Sequence, residues 1–334
     1  MYFKDLLRHR QVWLGAALLW IIMFHLPLDL GYLHYLKLFG YGGVDICVFA
    51  SGIGCFYSLS SDPDAARFMK RRLKRLMPTY VVFIALWLVY KYLIGEFCFQ
   101  MAVGNLLALQ NFTGFGQAYN WYIGATLFFY LLAPYFKAIV DQAASVRKYL
   151  FLVFLLVCSI PFWGSEPYMI VVSRLPVFYA GMLFADRCQK NERISGGQIA
   201  GMVGALVLGL LILAVSHFSF PQYLWSRGLY WHPFLLITPP LCTAISWTAN
   251  LLEKTRIGKP VVFFLSLCGN FSLELCLVHV ELMVIIPAFI EKHNLSHMSN
   301  LIWVAGLGVL FAGCFALRRI TGLFDRCSKM KVKR

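Results

Sequence analysis

Residues 24–59 read FHLPLDLGYLHYLKLFGYGGVDICVFASGIGCFYSL, and residues 67–80, a short way on, read RFMKRRLKRLMPTY. The first stretch holds His25 deep in an apolar segment, and Asp45, Ser51 and Gly52 follow on the next one. Hydrocarbon solvates a titratable imidazole poorly, so a histidine there is expected to face the protein interior or a water-filled cavity. If the two segments are antiparallel transmembrane helices, Asp45 falls near His25 and the basic run at 67–75 falls at the opposite membrane face. A carboxylate and an imidazole then stand at one end, and an anion-binding cluster at the other.

The whole chain extends that reading. Its 334 residues are 60% hydrophobic and only 13% charged, with a mean hydropathy of +0.69, well outside the balance of a soluble domain. A helix needs about 20 apolar residues to cross the bilayer core. Ten segments meet that need, at 11–29, 38–59, 76–95, 119–138, 149–164, 168–186, 198–217, 229–249, 261–285 and 299–319. The expected fold is all-α, a polytopic transmembrane helical bundle of about ten helices in one domain over 1–334, with no stretch left for a soluble domain.

A net charge of +15 raises nucleic acid as a partner, and the placement of the charges rejects it. With the N-terminus inside, 25 of the 30 Lys and Arg fall on the cytoplasmic side, and only Lys37, Lys91, Arg174, Arg227 and Lys292 fall elsewhere. That asymmetry puts both termini in the cytoplasm. The ten cysteines are scattered without a CxxC and read as small packing residues. The first segment follows Lys4, Arg8 and Arg10 as a signal peptide's would, but no small-residue cleavage site precedes His25, so it reads as a retained helix.

Asp62 and Pro63 mark a helix start ahead of the basic run. On composition alone that run sets orientation or touches anionic lipid. Residues 96–120 read as an interfacial helix and a loop over the outer mouth. Tyr119, Trp121 and Tyr122 there are either interfacial aromatics or a sugar-stacking platform. Arg174 lies about 9 Å into its segment at 1.5 Å per residue, too deep for a loop charge, and is expected to face the interior rather than snorkel. Pro239 and Pro240 are expected to kink the eighth segment, where His232 reads as a satisfied interfacial histidine. Glu274 is placed near mid-membrane and His279 in the outer half, the latter as either a hydrogen-bonded core residue or a pocket group. The closing RCSKMKVKR reads as a solvated basic tail.

Six pieces recur in a familiar order: His25, GVDICVFASG at 43–52, RRLKRLMP at 71–78, WYIGATLFFYLLAP at 121–134, SRLPVFYAGMLFAD at 173–186 and CGNFSLELCLVH at 268–279. By these pieces the chain resembles the acyltransferase 3 family of integral membrane acyltransferases, which includes glycan O-acetylases. The resemblance implies acyl-CoA, acetyl-CoA in particular, as donor and a hydroxyl of a cell-surface or lipid-linked glycan as acceptor. It implies a multi-pass protein of the bacterial cytoplasmic membrane with no metal and no permanently bound cofactor. It also turns the basic run into a donor site. Arginine forks bind phosphate in a bidentate fashion, which favours Arg71, Arg72 and Arg75, with Arg10 at the first helix. Two positions depart from the family pattern: Leu14 where an arginine is common, and Ala125–Thr126 where some members carry a glutamate.

Moving an acyl group from a thioester to a hydroxyl requires a base, donors for the developing oxyanion and a site holding both substrates. His25 is the expected base, Asp45 its orienting partner and Arg174 the group that stabilises charge. Ser51, Trp121, Glu274 and His279 are the expected acceptor or pocket residues. Direct transfer and an acyl-histidine both fit these residues. The rival reading is a transporter or flippase for a lipid-linked glycan, which also needs buried charge; inverted repeats would favour it, and none is evident.

Overall fold

The computed structural model describes residues 2–27, 31–113, 121–165, 168–223, 227 and 230–331. Helix makes up 86%, and the described residues contain no strand, so the all-α polytopic bundle is the fold. Backbone groups in hydrocarbon have no water to bond, and helices satisfy them internally. The principal helices are α1 (Arg10–His25), α2 (Gly43–Ser61), α3 (Ala65–Leu93), α4 (Phe99–Leu106), α5 (Trp121–Gln142), α6 (Ser145–Ser159), α7 (Tyr168–Val172), α8 (Leu175–Gln189), α9 (Gly196–Ser219), α10 (Phe234–Leu252), α11 (Gly258–Asn270), α12 (Ser272–Lys292) and α13 (Ser299–Lys331). Among the described residues, nine spans are long and apolar enough to cross a membrane. The first expected segment is the 16-residue α1, shorter than any of these nine.

Several boundaries depart from the hydropathy reading. The segment expected at 261–285 is two helices, α11 and α12, separated at Phe271. The segment at 168–186 is also two, α7 and α8, broken at Ser173 and Arg174. A hydropathy average runs across both breaks because their flanks are apolar. The helix start expected at Asp62 and Pro63 is capped two residues later, where Asp64 Oδ1 accepts from the Arg67 N–H at 2.7 Å. The stretch at 96–120 holds α4 and a turn of helix at Gln110–Thr113, while 114–120, with Tyr119, lies outside the described residues. α10 continues through Pro239 and Pro240 as one helix. The expected tail continues α13 as far as Lys331, and 332–334 lie outside the described residues.

The chain forms two compact units. Unit 1 comprises Met1–Ile21, Tyr41–Met69 and Ala125–Asn270. Its centre is the crossing of α2 and α8, which meet backbone to backbone: Gly52 abuts the Phe178 carbonyl and Gly181 abuts the Phe49 carbonyl. A Cβ at either position would overlap those oxygens, so only glycine permits this approach. Aromatic rings fill the space around the crossing. Phe129 stacks on Phe178 at 5.3 Å, and Phe136 and Phe151 meet Tyr179 edge-on at 5.5 and 5.1 Å. Trp13 Nε1 donates to the Ser246 hydroxyl at 2.6 Å, so this buried indole keeps its polar end satisfied.

Unit 2 comprises Ile22–Gly40, Lys70–Gly124 and Phe271–Arg334. Here α12 and α13 lie against each other, with Gly306 making room for the Ile286 side chain. On α3 the buried stripe is Arg72, Leu76, Tyr80, Ile84, Trp87 and Lys91, spaced by three or four residues as one helical face requires. α4 is tied to this helix where the Tyr80 hydroxyl donates to the Asn105 carbonyl.

Candidate active site

In unit 1 the break between α7 and α8 creates the setting for Arg174. Its backbone N–H bonds the Val171 carbonyl at 3.1 Å rather than that of Ile170. The Ile170 carbonyl is left over, and the side chain of Arg174 fills it through Nη1 at 2.7 Å. A buried carbonyl without a donor is costly, so the side chain repairs the gap that its own backbone opens. The guanidinium also faces the Trp231 ring at 5.5 Å. Its Nε lies 3.5 Å from Asp45 Oδ1, with the two side chains 1% and 0% exposed. Arg174 is therefore an interior arginine, as its depth in the sequence indicated. Asp45 sits in the first turn of α2, where the helix dipole also favours a negative charge.

In unit 2 a second pair forms between helix ends and interiors. His25 is the last residue of α1 and is exposed. His279 lies eight residues into α12 and is 2% exposed. The two imidazole rings stand 5.3 Å apart, centroid to centroid, inclined at 59°. His279 Nδ1 bonds the Leu275 carbonyl at 2.7 Å. His279 is thus hydrogen-bonded within its own helix, with the His25 ring beside it.

The arginine cluster is divided. Arg71 and Arg75, four residues apart on α3, are exposed, whereas Arg72 belongs to the buried stripe and is 8% exposed. Arg10 donates to the Ala50 carbonyl at 3.0 Å in unit 1, and Ser51, half-buried, is the next residue along α2. Trp121 is half-buried and meets Tyr122 edge-on at 6.0 Å. Glu274 needs a correction: it lies in the first turn of α12 rather than at the middle of a span, because the helix begins only at Ser272. It pairs there with Arg318 Nε at 3.9 Å, and that guanidinium covers the Phe271 ring at 4.4 Å. His232 is satisfied as expected, bonded to the Ser159 hydroxyl at 2.8 Å.

Sequence reasoning missed one polar group on the inner stripe of α3. Lys91, 4% exposed, pairs with Glu96 at 2.6 Å and stands over the Trp87 ring at 5.6 Å. Glu281 on α12 adjoins Trp87 and Lys91. The signal was the same one that picked out Glu274, an ionisable residue within an apolar run.

Comparison with known proteins gives one match. No curated protein and no solved structure matches the chain. The family described as the Acyltransferase domain matches residues 15–319, a span that takes in His25, Asp45, the arginines of α3, Arg174 and His279. With nearly its whole length covered, the chain belongs to the acyltransferase 3 family and is a membrane acyltransferase.

Proposed function

We propose that the protein is an O-acyltransferase that moves an acyl group, acetyl in the first instance, from acyl-CoA to a hydroxyl of a cell-surface or lipid-linked glycan. The observation that carries this reading is the pairing of an exposed imidazole, His25, with a buried one, His279, at 5.3 Å in a membrane acyltransferase. Neutral imidazole is the side chain suited to accept a hydroxyl proton near neutral pH. In the reaction His25 takes that proton, the oxygen bonds to the thioester carbonyl carbon, and the carbon–sulfur bond breaks. The thiolate then gains a proton to give the free thiol of coenzyme A.

Asp45 holds the Arg174 guanidinium within unit 1, its ion-pair partner at 3.5 Å. Arg71 and Arg75 bind the donor's phosphates from the cytoplasm, the side on which both termini lie and on which 25 of the 30 basic residues are gathered. Half-buried Trp121 offers an aromatic face to the sugar, and the whole protein works as a single domain in the bacterial cytoplasmic membrane.

The test is reconstitution in liposomes with labelled acetyl-CoA on one side and a lipid-linked glycan in the bilayer. Label on a glycan hydroxyl is expected only where the donor reaches the arginine side. Glycan movement across the bilayer without acyl transfer would return the chain to the transporter reading.

A further inference from the structure

His279 is buried, and its ring nitrogens are not equivalent. The Leu275 carbonyl, 2.7 Å from Nδ1, can only accept a hydrogen bond. Nδ1 therefore carries the proton, and in the neutral ring Nε2 is a lone pair. That Nε2 is buried with no hydrogen-bond partner among the described residues. A buried acceptor left unmet is costly, so its neighbour matters. The neighbour is His25, at 5.3 Å between centroids and a 59° tilt. Two imidazoles joined end to end by an N–H···N bond have centroids about 5 Å apart, given a bond of about 2.9 Å. The rings are thus close neighbours with no hydrogen bond at His279 Nε2 among the described residues, and catalytic hydrogen bonds are often long or poorly aligned before substrate arrives.

We propose that His279 is a positioning residue for His25. The Leu275 carbonyl fixes the His279 tautomer, His279 Nε2 accepts the N–H of His25, and the remaining nitrogen of His25 is thereby kept as the lone pair that takes the hydroxyl proton. No atom changes owner in this chain of contacts; it selects which nitrogen of His25 is basic. The inference rests on the reading of His25 as the base.

The test begins with the unaltered protein. Nitrogen-15 NMR of histidine-labelled protein in liposomes should show neutral His279 protonated at Nδ1; protonation at Nε2 instead overturns the proposal, since that nitrogen could not accept. In kinetics, His279→Phe should lower kcat by roughly a hundredfold, the scale of a misplaced catalytic group, with KM for acyl-CoA unchanged. His279→Gln, whose amide oxygen replaces the lone pair, should recover most of that loss. A fully active His279→Phe, or a Gln variant no better than the Phe variant, overturns it. His25→Ala separates the two levels: if it stays active, the reading of His25 as base has failed, whereas an inactive His25→Ala beside an active His279→Phe defeats only the positioning role.

Discussion

Asp45 and Arg174 in unit 1, and His25 and His279 in unit 2, are two pairs of ionisable residues handled in opposite ways. The first pair is closed. Both side chains are at most 1% exposed, the charges are opposite, and the guanidinium is further occupied by the Ile170 carbonyl and the Trp231 ring. The second pair is open. One ring is buried and locked to its own helix, and the other is exposed at a helix end. A closed pair contributes shape, because both side chains are held by fixed partners away from water. An exposed imidazole can take a proton from a substrate that reaches it. Ionisable residues in apolar sequence therefore fall into at least two physical classes, which mutation can tell apart.

The largest effect is expected at the open pair. His25→Ala should reduce acyl transfer by about 10² to 10⁴, the usual contribution of a positioned general base, while thermal unfolding in detergent stays within about 0.5 kcal/mol of the unaltered protein, as for other exposed positions. Initial rates with labelled acetyl-CoA check the first half and a melting curve the second. A variant that loses stability and activity together would place His25 in the same class as Asp45.

The closed pair should behave in the reverse order. Removing one member, in Asp45→Leu or Arg174→Met, leaves a buried charge uncompensated and should cost about 3–5 kcal/mol of stability. Removing both should restore most of that loss, because apolar residues of similar volume replace a buried ion pair without a desolvation penalty. Melting curves of the three variants in detergent check both halves. A double variant no more stable than the single ones would show that the pair contributes more than charge compensation.

Much of this was legible in the sequence, and the part that was not has a physical cause. The long apolar runs are helical, two of them each as a pair of helices, and Arg174 was legible as interior from its depth. The pairings were not legible. In the sequence Asp45 reads as the orienting group of His25 and His279 as one pocket residue among several; the ion pair of Asp45 with Arg174 and the ring contact of His279 with His25 came from the structure alone. Partner choice depends on how helices cross, and crossing is set by contacts such as Gly52 on Phe178 and Gly181 on Phe49, which no spacing along one helix reports. The breaks at Ser173 and at Phe271 were hidden for another reason. Neither is marked by a polar loop, so the hydropathy of 168–186 and 261–285 stayed high across them, and Glu274 was read as mid-span when it begins a helix.

The smallest effect, and the sharpest use of the open-and-closed distinction, lies within the arginine cluster. In the sequence Arg71, Arg72 and Arg75 look interchangeable as phosphate ligands, but α3 exposes the first and third and buries the second. A charged hydrogen bond to a phosphate contributes about 1.5–3 kcal/mol, so Arg71→Gln and Arg75→Gln should each weaken acyl-CoA binding by roughly ten- to a hundredfold. The loss should shrink as salt rises, because exposed charges are screened over about 10 Å at 0.1 M. Arg72→Leu should instead leave donor affinity within about twofold, since its stem packs in the apolar stripe and its head is not presented to a ligand. Calorimetric titration of acyl-CoA into detergent-solubilised protein at two salt concentrations measures all three. Equal losses at all three positions would mean that Arg72 turns outward when the donor binds, and the exposed stripe alone would no longer define the donor site.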